Sequence, residues 1–334
     1  MKNYKISLEV LTPVYIGNGS DISKKDYDLK GSKAYIYDPI KLHGLFGNLY
    51  EDFLMDRKTL TDFLGNNPIR VNKDLGSALK YQVDLGDRSI RKSDNIKEFI
   101  KDAYGYPYIP GSSLKGAIRT AILAYEIKKS GPNKYGKYRS ENLSRATRSN
   151  YMEEEAFGRI IHSKFKKLRI SDSKPLPKDS LVLSKKIDIF KDSNSNNKLN
   201  LSRESLKPGT IVEFQLSILD NEEIFTPENI MMALKEFIHE YRKRFLSKFK
   251  SYDESYLNED IIYIGGGTGF LTKTVNYALY GDKALTTTAN FLNEQFRKHD
   301  HRKDIALGIS PRAKKCTKIN NKTVEMGICK IRID

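Results

Sequence analysis

The sequence predicts an α+β protein, because strand and helix patterns both occur along it without regular alternation. Residues 4–10 alternate apolar and polar side chains with the period of a strand covered on one face, and residues 212–218 repeat that pattern. Residues 112–129 have the spacing of an amphipathic helix, and residues 227–242 predict a second long helix. A doubly wound sheet would need strict strand–helix alternation, so we expect two related modules of the ferredoxin-like kind.

The length of the chain agrees with two modules. A chain of 334 residues is long enough for two domains of ordinary size, each with its own core. We place the boundary between residues 205 and 206. Residues 1–205 would form one ferredoxin-like domain with basic loop insertions, and residues 206–334 would form a second domain that carries a glycine-rich loop.

The first elements in the chain are a strand, a loop and a second strand. The opening strand runs into T-P-V-Y-I-G-N-G-S-D, where Pro13, Gly17 and Gly19 break the alternation and predict a loop. Residues 34–39 predict a second short strand. One helix is then expected over residues 40–54, because its apolar side chains fall on one stripe. That stripe consists of Leu42, Leu45, Phe46, Leu49 and Phe53.

The central part of the chain predicts one helix followed by a long basic loop. In residues 112–129 the apolar side chains recur every three or four positions, and Ser112 or Ser113 is the natural N-cap. The apolar residues are Leu114, Ala117, Ile118, Ala121, Ile122 and Tyr125. Residues 128–148 are basic, rich in Tyr, Ser and Gly, and nearly without apolar periodicity, so we expect a mobile loop there.

The remaining segments predict further strands around one polar segment. Strands are expected at residues 167–176 and 180–190, whereas the low-complexity sequence D-S-N-S-N-N-K-L-N at 192–200 predicts disorder. After the repeated strand pattern and the second long helix, the sequence I-I-Y-I at 261–264 predicts another strand. The chain closes on a strand near residues 326–333.

The charge of the chain favours a polyanionic partner. Lys plus Arg number 58 against 42 for Asp plus Glu, which gives a formal net charge of +16 and a pI near 9.5. Nucleic acid and an anionic membrane surface are the usual partners of such a chain. No apolar run approaches the roughly 20 residues that span a bilayer, and the amino terminus alternates like a strand. We therefore expect a soluble, cytoplasmic protein without a membrane partner, and its many Tyr and Phe residues suit single-stranded RNA.

Neither the cysteines nor the histidines predict a metal or cofactor site. Cys316 and Cys329 lie close to the carboxyl end without a C-x-x-C arrangement, and we expect two reduced thiols. His299 and His301 form an H-D-H motif in a charged stretch, and His239 lies in a predicted helix. None of these patterns favours a metal site, so no metal and no cofactor are expected.

The segment I-P-G-S-S-L-K-G-A-I-R at residues 109–119 predicts an anion site. A helix start normally attracts acidic residues, because its free N–H groups carry partial positive charge. Here Lys115 and Arg119 lie one turn apart on one face instead, and a bound anion would relieve the mismatch. The hydroxyls of Ser112 and Ser113 and the free N–H groups would complete the site. The alternative is a solvated cationic face on an ordinary helix.

The second candidate site is the glycine-rich loop G-G-G-T-G-F, which directly follows the I-I-Y-I strand. It is not a Walker loop, because no Gly-Lys-Ser/Thr follows at the required spacing, and it also lacks the dinucleotide fingerprint. Its glycines would let a backbone pass very close to a phosphodiester chain. A structural turn is the alternative. The residues of this site are Gly265, Gly266, Gly267, Thr268 and Gly269.

Four residues bear on whether the chain is a ribonuclease. A metal-independent ribonuclease needs a His as acid or base, and His43 and His162 lie near glycine-rich and basic segments. Nothing in the sequence pairs either of them with a second catalytic group. Asp21 and Asp26 follow the first glycine loop, where a carboxylate would orient a 2′-hydroxyl, but solvated loop acids explain them more simply.

Five motifs in a fixed order resemble one protein family. They are T-P-V-Y-I-G-N-G, Y-I-P-G-S-S-L-K-G-A-I-R, R-I-S-D-S-K-P, K-P-G-T-I-V-E-F and G-G-G-T-G-F, and together they span nearly the whole chain. In this order they resemble the repeat-associated (RAMP) proteins of type III CRISPR systems, and most of all the subunit-five family of the type III-A Csm complex. The resemblance implies two fused ferredoxin-like domains that hold RNA through a glycine-rich loop and basic residues.

The resemblance also implies a role, partners and contacts. In that family this subunit lies at the end of the backbone filament, over the 3′ part of the CRISPR RNA (crRNA), and is needed for crRNA maturation. Its partners would be crRNA, the other Csm subunits, especially the backbone RAMP subunit, and host ribonucleases that trim the RNA. The RNA contacts would be Lys115, Arg119 and the glycine-rich loop, with Lys164, Lys166, Lys167 and Arg169 as additions.

We therefore predict a non-catalytic RNA-binding subunit of a CRISPR effector complex. It would hold crRNA mainly by phosphates and sugars, because it must accept any spacer. The sister backbone subunit of the family cuts RNA with an Asp after its first conserved strand, but the flanks of Asp21 and Asp26 do not match that motif. Two alternatives stay open. One is a RAMP-family endoribonuclease that uses His43 or His162 on precursor crRNA, and the other is a general basic RNA-binding protein without CRISPR partners.

Overall fold

The computed structural model describes residues 1–67, 75–139, 145–191, 196–220, 222–250 and 260–334, which form two β-sheets and a set of helices. In chain order the strands are β1 (Lys2–Val10), β2 (Gly17–Ile22), β3 (Tyr27–Lys30), β4 (Lys33–Tyr37), β5 (Leu79–Leu85), β6 (Asn95–Phe99), β7 (Leu168–Ile170), β8 (Leu181–Phe190), β9 (Asn196–Leu206), β10 (Ile211–Ile218), β11 (Ile261–Tyr263), β12 (Ala313–Ile319), β13 (Lys322–Glu325) and β14 (Ile328–Ile333). The helices are α1 (Pro39–Phe46), α2 (Asn48–Met55), α3 (Leu60–Asn66), α4 (Gly111–Lys129), α5 (Gly131–Lys134), α6 (Arg145–Phe157), α7 (Pro227–Arg244), α8 (Asn276–Tyr280), α9 (Ala284–Gln295) and α10 (Lys303–Leu307).

The first sheet has the amino-terminal strand at its centre. Its strand order is β11-β14-β1-β10-β7, and each neighbouring pair is antiparallel. The alternation predicted for β1 is confirmed, since Ile6, Leu8 and Val10 are fully buried and the polar residues between them are not. The strand that repeats this pattern, β10, lies directly beside β1.

Two long helices complete the main core. Helix α4 packs against β7 and α7, and α7 packs against β11. The buried stripe of α4, which includes Leu114 and Ile118, belongs to the same apolar core as β1 and β10. Helix α7 begins where Thr226 accepts a hydrogen bond from the Asn229 N–H, an ordinary N-cap. The elements of this half therefore follow the order strand, helix, strand, strand, helix, strand.

The second sheet has the order β2-β6-β9-β8-β5-β4-β3, and β12 joins it by pairing with β8 and β13. Strands β8 and β9 are antiparallel, whereas the β5–β8 and β6–β9 pairs are parallel. Two buried ion pairs lie in its interior, Lys101 with Glu204 and Lys185 with Asp94. Each pair ties a residue next to β6 to a strand of the sheet, because separating a buried pair would leave an uncompensated charge.

The segment between β1 and β2 joins the two sheets. The backbone of Val14 pairs with Leu206 at the end of β9, and that of Tyr15 pairs with Gly266 just after β11. Both sheets also take strands from either side of the predicted boundary between residues 205 and 206. A division of the chain into two domains at that boundary stays a prediction.

The single helix predicted over residues 40–54 is wrong, because α1 and α2 meet at Gly47. Gly47 has a φ of 54°, a conformation that glycine adopts without steric cost and that ends α1. Three residues of the predicted apolar stripe are nevertheless buried, and Leu45 and Leu49 are partly buried. Leu42, Phe46 and Phe53 pack with α3 in a small core of their own.

The mobile loop predicted at residues 128–148 is wrong over most of its length. Helix α5 and the beginning of α6 lie there, and residues 140–144 fall outside the described part of the chain. The sequence lacks periodicity because its regular pieces are short. Tyr135 and Tyr138 supply much of the burial, and both are almost fully covered.

The disorder predicted at residues 192–200 is wrong for residues 196–200, which form the start of β9. Residues 192–195 fall outside the described ranges. The polar composition suggested a loop, but backbone pairing with β8 makes this stretch a strand.

The loop predicted at residues 12–21 is wrong for residues 17–21, which lie in β2 and pair with β6. The strand predicted at residues 167–176 is confirmed only over β7. The other predicted elements are confirmed. Strands occur at β4, β7, β8, β10, β11 and β14, and helices occur at α4 and α7. Together with the two sheets, they make this an α+β protein. Among the described residues, no helix is long and apolar enough to cross a membrane.

Candidate nucleic-acid interface

A carboxylate already occupies the start of α4. The N-cap predicted at Ser112 or Ser113 is wrong, because the helix begins at Gly111 and its N-cap is Pro110, which has no side-chain acceptor. The Gly111 N–H donates a hydrogen bond of 2.8 Å to Asp172 Oδ1. This acid complements the partial positive charge of the helix start, so the mismatch read from the sequence is resolved inside the protein.

Lys115 points into the protein. Its ammonium donates hydrogen bonds to the carbonyl oxygens of Phe165 at 2.8 Å and Leu168 at 2.6 Å. Burial lowers the pKa of Lys115, and the nearby charges of Arg119 and Arg169 lower it further. Lys115 therefore stabilises the segment that leads into β7.

Arg119 remains half exposed but has a partner. Its guanidinium forms an ion pair with Glu153 of α6 and lies 5.9 Å from the centre of the Phe165 ring. Burial lowers the pKa of Arg119. The side chain is 46% exposed, so it can still meet a ligand on its open side.

The lysines before β7 have partners within the protein. Lys164 and Lys167 contact the carboxylate of Glu222 at 2.9 Å and 3.3 Å, and Lys166 donates to the Ile161 carbonyl at 2.8 Å. Hydrogen bonding from Lys164, followed by Lys167, lowers the pKa of Glu222. Arg169 differs from them, because it is exposed on β7 and no described carboxylate pairs with it.

Packing against Tyr15 explains why the first positions of the glycine-rich loop are glycines. The Gly266 N–H donates to the Tyr15 carbonyl at 2.6 Å. A Cβ at Gly265 would lie 2.2 Å from that carbonyl oxygen, and a Cβ at Gly266 would lie 2.8 Å from the Tyr15 ring. Gly269 has open space instead, with a φ of 98° and no described atom within 4 Å of a Cβ position. Thr268 is buried, and its hydroxyl donates to the Gly265 carbonyl at 3.3 Å.

Sequence reasoning missed two cations beside this loop, Arg203 and Lys273. The Arg203 guanidinium lies 5.5 Å from the centre of the Tyr15 ring, and its Nη1 would be 3.3 Å from a Cβ at Gly267. Burial lowers the pKa of Arg203, while burial and then the charge of Arg203 lower the pKa of Lys273. Neither forms an ion pair with a carboxylate of the described chain, and Asp188 acts on Arg203 only at longer range.

A cavity of about 90 Å³ lies between Lys273 and the helices α4 and α6. Its lining includes Thr120 of α4, Glu153 of α6 and Lys273. Glu153 is the partner of Arg119. The cavity therefore places Lys273, which follows the glycine-rich loop, near the partner of Arg119.

The candidate catalytic histidines do not come together in a catalytic arrangement. His43 is exposed and its Nε2 lies 2.9 Å from a Glu51 carboxylate oxygen, while His162 is exposed in a turn after α6. His301 contacts Asp304 at 2.9 Å, far along the chain from both. Across the described ranges no second general acid or base contacts His43 or His162 except Glu51.

The two candidate acids have ordinary structural partners. Asp21 lies on β2, where Lys97 is 2.7 Å away and Asn95 donates a hydrogen bond of 2.7 Å. The Lys97 hydrogen bond lowers the pKa of Asp21, whereas burial raises that of Asp26. Asp26 accepts the Ser23 N–H in a turn at 3.1 Å.

Both cysteines are buried and free, Cys316 in β12 and Cys329 in β14. Burial raises the pKa of Cys316 to about 12, so its thiol stays protonated at neutral pH. No group of three or more His, Cys, Asp or Glu side chains within the described ranges is arranged to hold a metal ion.

Comparison with known proteins shows to which protein family the chain belongs. The sequence model of the RAMP superfamily matches residues 7–271, and the chain belongs to this superfamily. The curated relatives narrow the class to the CRISPR-associated Csm5 proteins. The CRISPR system Cms protein Csm5 of Streptococcus thermophilus is 30% identical over 292 residues, which cover 82% of this chain and 80% of the relative. A protein of the same name from Mycobacterium tuberculosis (strain ATCC 25618 / H37Rv) is 26% identical over 384 residues, covering 100% and 98%. The predicted family is confirmed.

Solved structures share the fold over almost the full length. A chain in the cryo-EM structure of a Csm-crRNA-target RNA ternary complex of a type III-A CRISPR-Cas system has a TM-score of 0.73 at 21% identity, and the match covers 98% of this chain and 100% of that one. The crystal structure of T. onnurineus Csm5 has a TM-score of 0.66 at 20% identity, covering 97% and 99%. The mixed α+β architecture is therefore that of a RAMP protein of the Csm5 type.

Proposed function

We propose that this chain is a non-catalytic RNA-binding subunit of a type III-A CRISPR (Csm) effector complex, which binds the 3′ part of crRNA and is needed for crRNA maturation and antiviral defence. The observation that carries the proposal is the pair Arg203 and Lys273 beside the glycine-rich loop. Two cations without a carboxylate partner, in a chain of net charge +16, favour a bound phosphodiester.

The arrangement favours RNA that is held by its backbone. Arg203 lies on the Tyr15 ring, which keeps its guanidinium in place beside the loop. Gly269 leaves open space where a sugar–phosphate chain can approach the protein backbone. Contacts of this kind do not read bases, which suits a subunit that must accept any spacer sequence.

We propose a ranking of the RNA contacts predicted from the sequence, based on which of these residues have open sides. Arg119, Arg169 and Gly269 have open sides, and with Tyr15, Arg203 and Lys273 they form the proposed contact surface. Most of the others act by building that surface, because their polar groups or their Cβ positions meet protein atoms. These are Lys115, Lys164, Lys166, Lys167, Gly265, Gly266, Gly267 and Thr268, while Ser112 and Ser113 stay predicted contacts at the start of α4.

The proposal includes partners and an architecture. The protein partners would be the other Csm subunits, especially the backbone RAMP subunit, with host ribonucleases as separate trimming enzymes. We also propose that the strand–helix–strand–strand–helix–strand half is a ferredoxin-like unit. Its strands β14, β1, β10 and β7 have the order expected of that fold.

The test is to incubate the purified chain with labelled precursor and mature crRNA and to follow binding and cleavage together. Binding with both RNAs left intact supports the proposal. Specific cleavage that disappears in a His43→Ala/His162→Ala variant would establish the endoribonuclease alternative instead. In cells that lack this chain, crRNA should remain untrimmed, and adding back the wild-type chain should restore trimming.

A further inference from the structure

Two adjacent isoleucines project from the surface between α6 and β7. The side chains of Ile160 and Ile161 are 77% and 75% exposed. Single exposed apolar residues are common on proteins, but two neighbours of this size side by side mark a contact surface more often. We call residues 158–163 the isoleucine turn.

The isoleucine turn is held in a fixed shape. Helix α6 ends at Phe157, and the Gly158 N–H donates to the Glu154 carbonyl at 2.9 Å. Within the turn the His162 N–H donates to the Arg159 carbonyl at 2.8 Å. A surface that is ordered before binding loses little conformational entropy when a partner covers it.

The residues that follow the turn anchor it to the core. Lys166 donates from its ammonium to the Ile161 carbonyl, and Lys115 holds the carbonyls of Phe165 and Leu168. The Phe165 ring packs edge-on against Phe157, with ring centres 4.6 Å apart. Lys115 of the α4 motif therefore helps to hold the isoleucine turn in place.

The apolar tip of the turn favours a protein over a nucleic acid as the occupant. Lys164 and Lys167 are paired with Glu222, and Arg119 is paired with Glu153, so these three cations are already compensated. Apart from the His162 imidazole, the turn carries no ring on which a nucleobase could stack, and the two isoleucines carry none. Their apolar area gives binding energy only against another apolar surface.

The remaining charge favours an acidic partner over a second copy of this chain. Arg159 is exposed beside the isoleucines, and it forms no ion pair with a carboxylate of the described ranges. A second copy would bring the same uncompensated Arg159 and the same net charge of +16. Both would repel it, whereas a partner with carboxylates around an apolar pocket would be attracted.

We propose that the isoleucine turn docks this chain onto a neighbouring protein subunit of the effector complex, one that offers an apolar pocket edged by carboxylates. The inference rests on the proposed function, because the occupant is a Csm subunit. Ile160 and Ile161 fill the pocket, and Arg159 meets its acidic edge.

The test compares Ile160→Asp and Ile161→Asp, made singly and together, with Ile40→Asp, which matches each single change at an isoleucine that is 82% exposed on α1. Each full-length chain is co-expressed with the other Csm subunits of its own system and a crRNA, and its incorporation into the purified complex is quantified. We expect the double variant to join the complex at least about tenfold more weakly, because a buried contact pair of this size is lost. Ile40→Asp should assemble normally, and Arg159→Glu should weaken assembly to a smaller extent.

Two measurements on the isolated chains keep the outcomes distinct. Thermal unfolding and crRNA affinity should both be unchanged in the double variant, since the isoleucines are solvent-exposed before assembly. If the double variant assembles like wild type, or loses crRNA affinity as an isolated chain, the docking proposal is wrong. Self-association of wild type that the double variant abolishes would also overturn it, in favour of a second copy. Failure of wild type itself to join the subunits would refute the proposed function.

Discussion

Replacing Lys115 tests whether this residue stabilises the fold or contacts RNA directly. The ammonium makes two charge-assisted hydrogen bonds to carbonyl oxygens, at 2.8 Å and 2.6 Å. Lys115→Met keeps the apolar stem and removes both bonds, each worth about 1.5–3 kcal/mol. The cost of burying the ammonium, which its lowered pKa reflects, offsets part of this sum. We expect the free energy of unfolding to fall by about 2–3 kcal/mol.

Calorimetry measures this loss directly. An unfolding entropy of about 2.1 cal/mol/K per residue gives about 0.7 kcal/mol/K for this chain, so Tm should fall by about 3–4 °C. Lys129→Met, at the exposed end of the same helix, is the matched control and should shift Tm by less than about 1 °C. Below both Tm values, crRNA affinity of Lys115→Met should stay within about twofold of wild type. An unchanged Tm together with a loss of crRNA affinity would show that Lys115 contacts phosphate, and would refute the structural interpretation.

Three further changes test the packing that supports the site. Gly265→Ala should cost at least about 2 kcal/mol in urea denaturation, because the new Cβ would lie 2.2 Å from the Tyr15 carbonyl at a φ of 83°. Lys101→Met should cost about 3–5 kcal/mol because it leaves the buried Glu204 carboxylate unpaired, and adding Glu204→Gln should recover much of the loss. Asp62→Asn should cost about 1 kcal/mol at pH 7, since Asp62 belongs to the capping box of α3. Hydrogen bonding, first from a lysine and then from the capping threonine, lowers the Asp62 pKa to about 2, so its contribution is complete above about pH 4 and is lost as the pH falls through 2.

Each of these expectations can fail in a recognisable way. Unfolding of Gly265→Ala at the wild-type midpoint would mean that the loop is not fixed by Tyr15. A cost below about 1 kcal/mol for Lys101→Met would mean that Glu204 is not buried as a charge. A stability difference between Asp62→Asn and wild type that persists unchanged at pH 2 would contradict the lowered pKa.

The sequence predicted well those elements in which the pattern of apolar residues alone shows which side of the element is buried. Strand β1 and helix α4 each bury a regular stripe, so apolar periodicity is enough to define them. The same reasoning failed at Gly47. The apolar stripe continues from α1 into α2, although the helix itself is interrupted at Gly47. Strand β9 was not predicted at all, since its stability comes from pairing with β8 and its polar composition does not indicate a strand.

The candidate site was predictable as a set of motifs but not as a set of contacts. Lys115 reaches carbonyls 50 and 53 residues away, and the partner of Gly111 lies 61 residues away. Such distances along the chain depend on the topology. The role of Arg203 could not be predicted for the same reason, because only the folded chain brings β9 to Tyr15 and the glycine-rich loop. Lys273 lies just beyond the glycines and carries no motif of its own.

The salt dependence of crRNA binding tests the central claim most directly. We would compare wild type with Arg203→Gln/Lys273→Gln, and with Lys298→Gln/Arg302→Gln as a control that removes the same charge from two exposed positions. Each cation that neutralises one phosphate of a single strand contributes about 0.7 to the slope of log affinity against log salt. A slope smaller by about 1.4 in the first variant, with the control close to wild type, is the result that the account predicts. Equal slopes and affinities in the first variant and wild type would contradict it.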